Sequence, residues 1–380
     1  MGSIARAQRY HYKPAAMHKE VLRIGLIGCG EVCEHKHMPA LREIDGARVT
    51  AVGDVDEGHA RHVALRYGIE HVFADPQSLI RSGVANVIGV LVPPAAHLEV
   101  AAMAIEAGCH VLVEKPVALE MAHADKLVEL ASKHDVRVLM GFHMRWHRLI
   151  RRAREYVHSG ALGIIESIRT IWNSPRADSG ISDWKRRRAD GGGSLVEIGV
   201  HLFDLWRYLL GTEVEEVFAL SRHGARDDEN AVVTAVLANG VLASAHLSER
   251  TAHDMQVEIC GSDGRLRIAG QRFDGFETYA QQETDGGLGS RLRAMERFLR
   301  EFPLGIAQVR RLGDYGDSYR GEWAHLLDAA RAPQPLQCTV EDGREALRVV
   351  LAATASATDG RPVRVAGAPA VLTPAAPPEE

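Results

Sequence analysis

No apolar run in this 380-residue chain approaches the length that spans a bilayer. The opening stretch Met1–Lys19 carries charges and aromatics without the apolar core of a secretory signal, so it reads as an N-terminal arm over residues 1–20. Charge of one sign is also scarce. Forty-five basic against fifty acidic side chains leave a formal net charge of −5, which offers neither nucleic acid nor a membrane an electrostatic footprint. Cysteine is sparse: Cys29, Cys33, Cys109, Cys260 and Cys338 form an odd, scattered set without the close paired spacings of a zinc site, and three of them lie in apolar stretches. No metal centre is expected, and the compartment reads as reducing and cytoplasmic. A small molecule is left as the partner. The chain is too long for one ordinary core and divides into two domains, and its Ala- and Pro-rich residues 367–380 read as a disordered tail.

What is present begins at His110–Pro116. This short β-rich run follows the helical Ala96–Ala107 and the stop signal Gly108, and reads as a strand buried on both faces of a parallel sheet. Glu114 and Lys115 then stand at its carboxyl edge, where open α/β sheets bind ligands, although a solvated ion pair capping a strand end is the plain alternative. Upstream, the apolar Leu22–Ile27 runs into Gly28-Cys29-Gly30-Glu31-Val32-Cys33 and a helix reaching Ile44. Gly28 suits the tight turn and Gly30 the close approach of a pyrophosphate, with Cys33 at the third glycine position. Arg48–Gly53 is a second strand closed by Asp54, at the spacing from which a carboxylate reaches a ribose 2′-hydroxyl. With Asp56 following and no arginine in the turn, NAD is favoured over NADP. Asp54 could equally cap the helix Glu57–Tyr67. Val87–Val92 ends at Pro93-Pro94, with His97 at the next helix start as a cofactor-facing or packing residue. Glu120–His134 and Val136–Met140 complete a doubly wound domain over residues 21–143.

The second half, 144–366, opens with a basic helix Arg148–His158 and a strand Ile164–Trp172. The polar stretch Asn173–Asp190 follows, with Trp184-Lys185-Arg186-Arg187-Arg188 as a solvated face or an anion-attracting entrance to a substrate cleft. After Gly191–Gly193, a helix over Ser194–Leu210 carries Glu197, His201 and Asp204 at i, i+4 and i+7, on one face where carboxylate and imidazole can share a proton network. A satisfied helix histidine and a structural acid are the competing reading. Val214–Ser221, Asn230–Ala238 and Val241–Ser248 alternate as strands, the last two joined at Asn239-Gly240. Val257–Cys260 and Arg265–Ala269 extend the sheet. Residues 274–320 read as an insertion with a helix at Ser290–Phe302 and a turn at Gly313–Tyr319. Helices at Glu322–Ala332 and Glu341–Ala357 and a strand at Pro362–Val365 close the chain, 341–366 returning towards the first domain.

Gly28-Cys29-Gly30, Asp54, Pro93-Pro94-Ala95-Ala96-His97, Ala107–Pro116 and Gly141–Trp146 together resemble the Gfo/Idh/MocA oxidoreductases. That resemblance implies an N-terminal Rossmann domain with a doubly wound parallel sheet and a C-terminal α+β domain on an open, mostly antiparallel sheet. It implies cofactor contacts from Gly28, Gly30, Glu31, Val32, Asp54, Pro93, His97, Glu114, Lys115, Arg145 and Trp146. Glu197 and His201 match the family's Gly-Gly…Asp-x-x-x-His segment, with glutamate at the aspartate position. Lys115 is then the group that stabilises an alkoxide and His201, with Glu197, the general base, or the two roles are reversed. Asn173, Arg176 and Trp184 are candidate substrate contacts. The implied reaction moves hydride between a nicotinamide and a secondary alcohol of a sugar, cyclitol or related polyol, anionic if the basic run lines the cleft, in a homo-oligomer (dimer or tetramer) built through the C-terminal sheet. A redox-neutral glycosidase of the same fold, or a regulator that senses sugar, are the alternatives. The regulators lose the lysine or the histidine, and both are present here.

Overall fold

The computed structural model describes residues 21–179, 181–284, 286–309, 313–332 and 334–372; the expected arm at 1–20 lies outside them. Six short strands, β1 Leu22–Ile27, β2 Ala47–Gly53, β3 His71–Phe73, β4 Val87–Val90, β5 His110–Glu114 and β6 Val138–Gly141, form one parallel sheet in the order β3-β2-β1-β4-β5-β6. Val111–Val113 are fully buried on both faces, as a crossover sheet covered by helices requires. After the glycine turn the chain makes a π-helical turn Cys33–His37 and the helix α1 Met38–Arg42. The other connections are α2 Glu57–Tyr67, α3 Pro76–Arg81, α4 His97–Glu106 and α5 Met121–Lys133. The strand order reverses between β1 and β4, which opens a crevice at the carboxyl ends that carry Gly28, Asp54, Pro93 and Glu114. Asp56, not Asp54, caps α2, accepting from the Gly58 and His59 amides.

The helix α6 Arg148–His158 leads to a second sheet of β7 Ile165–Asn173, β8 Val214–Arg222, β9 Asn230–Leu237, β10 Leu242–Ser248, β11 Asp254–Gly261, β12 Gly264–Ala269, β13 Phe276–Ala280 and β14 Val363–Arg364. Its order is β13-β12-β11-β7-β10-β9-β8-β14, antiparallel except where β7 meets β10. Buried residues alternate with exposed ones along β9 and with half-buried ones along β11, so one face is packed and the other more open.

Several expectations need correction. The helix expected over Ser194–Leu210 is two pieces, α7 Ser194–Glu197 and α8 Gly199–Leu210, because the His201 amide bonds Ile198 O three residues back instead of Glu197 O. Residues 274–320 hold β13, α9 Leu288–Val309 and the start of α10 Gly313–Arg331, so the expected turn at 313–319 is helix. The return segment is α11 Val340–Asp359, which packs between α5 of the first domain and α8 of the second. Its closing strand β14 pairs with β8, not with the first sheet. Residues 368–372 are docked: Met121 N–H donates to Ala370 O, and Leu372 is buried with its N–H on Leu119 O. The remainder of the expected tail, 373–380, lies outside the described residues.

Candidate active site

The glycine turn opens onto a cleft of about 1210 Å³ at the strand-order reversal. Gly28 holds φ at +97°, and a Cβ there would lie 2.5 Å from Leu91 O, so the turn itself demands glycine. Gly30 differs. A Cβ on it would meet nothing within 4 Å, which leaves its bare backbone open to the close approach of a ligand. Asp54 Oδ2 accepts from Cys29 N–H at 2.6 Å and Oδ1 from Asp56 N–H at 2.9 Å, tying the end of β2 to the glycine turn. Glu31, Val32, Asp54 and Pro93 all line the cleft, and its far wall is the 175–185 stretch of the second domain, including Arg176, Trp184 and Lys185. Lys185 Nζ stands 3.9 Å from Glu31 Oε2 across the gap. An open glycine face, helical amides behind it and a carboxylate at the second strand end fit a bound dinucleotide.

Deeper in, Lys115 follows the end of β5, and its peptide bond to Pro116 is cis. Its Nζ donates to Glu197 O at 3.0 Å. Burial pulls the ammonium below its ordinary value, against the raising effect of the Glu197 and Glu114 carboxylates. Glu197 does not share its carboxylate with His201. Oε2 lies 2.6 Å from Arg176 Nη2, in a contact whose angles make an ion pair but not a hydrogen bond, and Oε1 is 4.0 Å from Lys185 Nζ. Since Arg176 and Lys185 also line the cleft, the dinucleotide space and the Lys115 cluster meet at Glu197. His201 is boxed by rings, stacked on Trp172 with centroids 5.2 Å apart and edge-on to His143 at 5.1 Å and Phe142 at 6.0 Å. Burial first, then the nearby Lys115 charge, holds its pKa well below the ordinary histidine value. Its Nδ1 has no hydrogen-bond partner among the described residues.

Other expected residues are engaged elsewhere. His97 is buried with Nδ1 2.8 Å from Pro116 O and Nε2 2.9 Å from Val92 O, so it braces two strand ends and does not face the cofactor space. Arg145 is buried in a bidentate pair with Asp204, at 2.9 and 2.5 Å, and reaches Asp342 as well. Asp204 therefore belongs to this pair and not to a network with Glu197 and His201. Trp146 packs against Gly321 and His325; neither Arg145 nor Trp146 lines the cleft. The basic run also divides. Arg188 is fully buried on Asp228, Arg187 pairs with Asp190, Arg186 reaches Asp178 O, and of the run's cations Lys185 faces the cleft. Asn173 ends β7 beside Trp172, its Oδ1 buried without a partner among the described residues.

Sequence reading missed a set of groups beneath Lys115. Trp323 Nε1–H donates to His37 Nδ1 at 2.9 Å, so the neutral ring carries its proton on Nε2, which donates to Glu114 Oε1 at 3.0 Å. Glu114 Oε2 in turn accepts from Lys115 N–H at 3.0 Å. Burial pushes the Glu114 carboxyl up, but the His37 bond and the neighbouring positive charges outweigh it and hold it below its ordinary value. His143 lies flat on Tyr319, with centroids 4.1 Å apart. Ser318 Oγ donates to Tyr315 O, so it accepts from His143 Nδ1–H and leaves Nε2 as a buried lone pair. These partners come from α10, whose first half, with Tyr315, Ser318 and Tyr319, lay inside the presumed insertion. The local signal available was the aromatic spacing Tyr315, Tyr319, Trp323 at helical intervals of four. Among the described residues no cluster of His, Cys, Asp and Glu is arranged to hold a metal, and no helix is long and apolar enough to cross a membrane.

A parallel sheet with its glycine turn, a second open sheet, and a lysine between them define a dinucleotide-binding oxidoreductase of two domains. Residues 22–142 match the family model described as an oxidoreductase family with an NAD-binding Rossmann fold, and residues 150–267 that of the GFO/IDH/MocA C-terminal domain. Myo-inositol 2-dehydrogenase of Thermotoga maritima is 30% identical over 355 residues, covering 90% of this chain and 98% of that one. The chain belongs to the Gfo/Idh/MocA oxidoreductase family. A dTDP-3,4-didehydro-2,6-dideoxy-alpha-D-glucose 3-reductase of Actinomadura kijaniata is 30% identical over 249 residues, 64% of this chain and 74% of its own. The crystal structure of GenD2 from gentamicin A biosynthesis in complex with NAD superposes with a TM-score of 0.76 at 25% identity, covering 93% of this chain and 99% of that one.

Proposed function

We propose that this protein is an NAD-dependent dehydrogenase that oxidises a secondary alcohol of a neutral cyclitol or sugar to the ketone. The observation that carries this reading is a set of buried polar atoms around His201 and Arg176. His201 Nδ1, Asn173 Oδ1, Glu197 Oε2 and Glu249 Oε1 lack hydrogen-bond partners among the described residues. Arg176 ties three of these neighbourhoods together, since it contacts Glu197 and lies 3.6 Å from Glu249 Oε1, while Asn173 begins its own stretch of chain. The two carboxylate oxygens are ion-paired with Arg176 but carry no hydrogen bond, and a ligand dense in hydroxyl donors would add the missing bonds, whereas a carboxylate or phosphate brings more acceptors. The engagement of Arg186–Arg188 elsewhere supports the neutral substrate.

Bound NAD would supply the hydride acceptor. Asp54, already held by the Cys29 amide, would accept from a ribose 2′-hydroxyl and repel a 2′-phosphate, which favours NAD over NADP. Lys115 would exchange its bond to Glu197 O for the reacting hydroxyl and stabilise the developing alkoxide. His201 would take the hydroxyl proton. Its lowered pKa keeps the ring neutral at pH 7, so activity falls only as pH drops through a value below about 6.5. A second reading rests on the burial of Lys115: a neutral amine there could serve as the base, with His201 orienting the substrate. The five free cysteines suit a reducing, cytoplasmic compartment, and the exposed Leu220, Val232 and Leu242 on the outer face of the second sheet suit a homo-oligomer contact. The test is a panel of inositols and neutral sugars incubated with NAD or NADP and followed by the absorbance of the reduced nicotinamide. Net NADH with a neutral polyol is the expected result. Glycoside cleavage with no net NADH, or sugar binding with no turnover, would contradict it.

A further inference from the structure

The helix α9 presents an apolar face that its own protomer does not cover. Leu288, Leu292, Met295, Leu299, Phe302 and Ile306 recur at alternating intervals of four and three residues, and each is between 45 and 77% exposed. This is the a/d spacing of a coiled coil, held from Leu288 to Ile306 although Leu304 and Phe298 are also exposed and Pro303 lies within the last turns. The helix is anchored by other residues. Arg297 Nη2 bonds Glu277 at 2.9 Å, Arg152 bonds the buried Glu301 at 3.0 Å, Phe298 meets the Phe273 ring, and Gly305 sits against that same ring. With its docking side accounted for, the seam remains exposed to solvent as one contiguous apolar row, a feature that marks interaction surfaces. It lies outside both segments that match the family models.

We infer that α9 is an interface between two copies of this chain, paired in parallel as a short two-stranded coiled coil. Charge selects both the occupant and the direction. Arg291 and Glu296 flank Leu292 and Met295 at the g and e positions of this heptad, and neither forms an ion pair with another described residue. They are five residues apart, the offset at which a g residue meets the e residue of a parallel partner. A parallel pair thus forms two Arg291–Glu296 contacts between copies, one on each side of the seam. An antiparallel pair that keeps a opposite d would instead bring Glu296 against its own counterpart. A two-fold axis along the seam also sets each a residue opposite itself. This contact is separate from the outer face of the second sheet and does not depend on the assigned activity.

The test measures the mass of the full chain in solution by light scattering and sedimentation equilibrium. Leu292→Glu with Leu299→Glu should halve the mass, because both residues are exposed and their change leaves each protomer folded, as retained NADH binding would record. Arg291→Glu alone should weaken the assembly, and Arg291→Glu with Glu296→Arg should restore it. Independently, Leu299→Cys in a Cys260→Ser background should form a reducible cross-linked dimer on oxidation, whereas Arg300→Cys should not. Equal masses for the parent and the double glutamate variant would overturn the proposal, as would failure of Leu299→Cys to cross-link. A monomeric parent whose α9 instead binds anionic lipid vesicles would also overturn it and assign the stripe to a membrane surface.

Discussion

Trp323→Phe should slow the reaction from a position behind the catalytic lysine. The indole N–H is the group that sets the His37 tautomer, through its 2.9 Å bond to Nδ1, and His37 in turn fixes Glu114 against the Lys115 backbone. Phenylalanine keeps the aromatic character but leaves a buried acceptor unpaired, at a cost of about 1–3 kcal/mol. Some further loss comes from the smaller ring in a fully buried site. With Nδ1 no longer occupied, the ring can hold its proton there and withdraw the bond to Glu114, which is worth about 1.5–3 kcal/mol because the acceptor is charged. If half of that appears as misplacement of Lys115 in the transition state, kcat falls about 4- to 13-fold. Urea unfolding gives the stability change, and steady-state kinetics with NAD give kcat and KM separately. A folded Trp323→Phe protein with reduced stability but unchanged kcat would refute the positioning argument and leave the chain a purely structural one.

Other outcomes follow from the same geometry. Asp54→Ala should narrow the preference for NAD over NADP by about 10-fold or more, read as two dissociation constants; a parent protein that binds NADP more tightly would defeat the assignment of Asp54. Burial, the largest cause for each, pushes His143 down to about 3 and His147 down to about 4. The unfolded chain takes up protons near pH 6.5 that the folded chain refuses, so stability present above that pH is lost as pH falls. Between pH 7 and pH 5 the loss is about 2 kcal/mol for each, or about 4 kcal/mol together. A urea midpoint unchanged between pH 7 and pH 5 would contradict this. Arg176→Ala leaves Glu197 and Glu249 facing each other, so KM for the polyol should rise several-fold while kcat changes less. An unchanged KM would remove Arg176 from the substrate pocket.

The first domain was legible because its signals are local. Except for the short β3, each strand runs into a turn whose residues announce it, as Gly28 does with its positive φ and Asp54 at the end of β2. The places of Lys115 at a strand edge and His201 on a helix after three glycines were legible for the same reason. The partners of His37 and His143 were not, since Trp323 lies 286 residues from His37 in the chain. The first half of their helix was misread because Gly313 and Gly316 look like turn residues. In the fold Gly321 is there for space: a Cβ would come 3.0 Å from the Trp146 side chain. The i, i+4 pairing of Glu197 with His201 failed because the helix breaks between them and Arg176, distant in sequence, claims the carboxylate. Arg145 could not be separated from a cofactor ligand by sequence, since nothing local shows that Asp204 and Asp342 would converge on it.

The most direct test of the proposed chemistry is single-turnover oxidation of the best polyol by preformed NAD complexes of the parent, Lys115→Met and His201→Ala proteins across pH 5 to 9. The account predicts that NAD binding survives in both variants. Lys115→Met should lower the rate by about 10²–10³-fold. His201→Ala should lower it by about 10²–10⁴-fold and lose the acid limb below pH 6.5. A near-normal rate in His201→Ala, with the acid limb intact and then abolished by Lys115→Met, would make lysine the base and contradict the assignment of histidine.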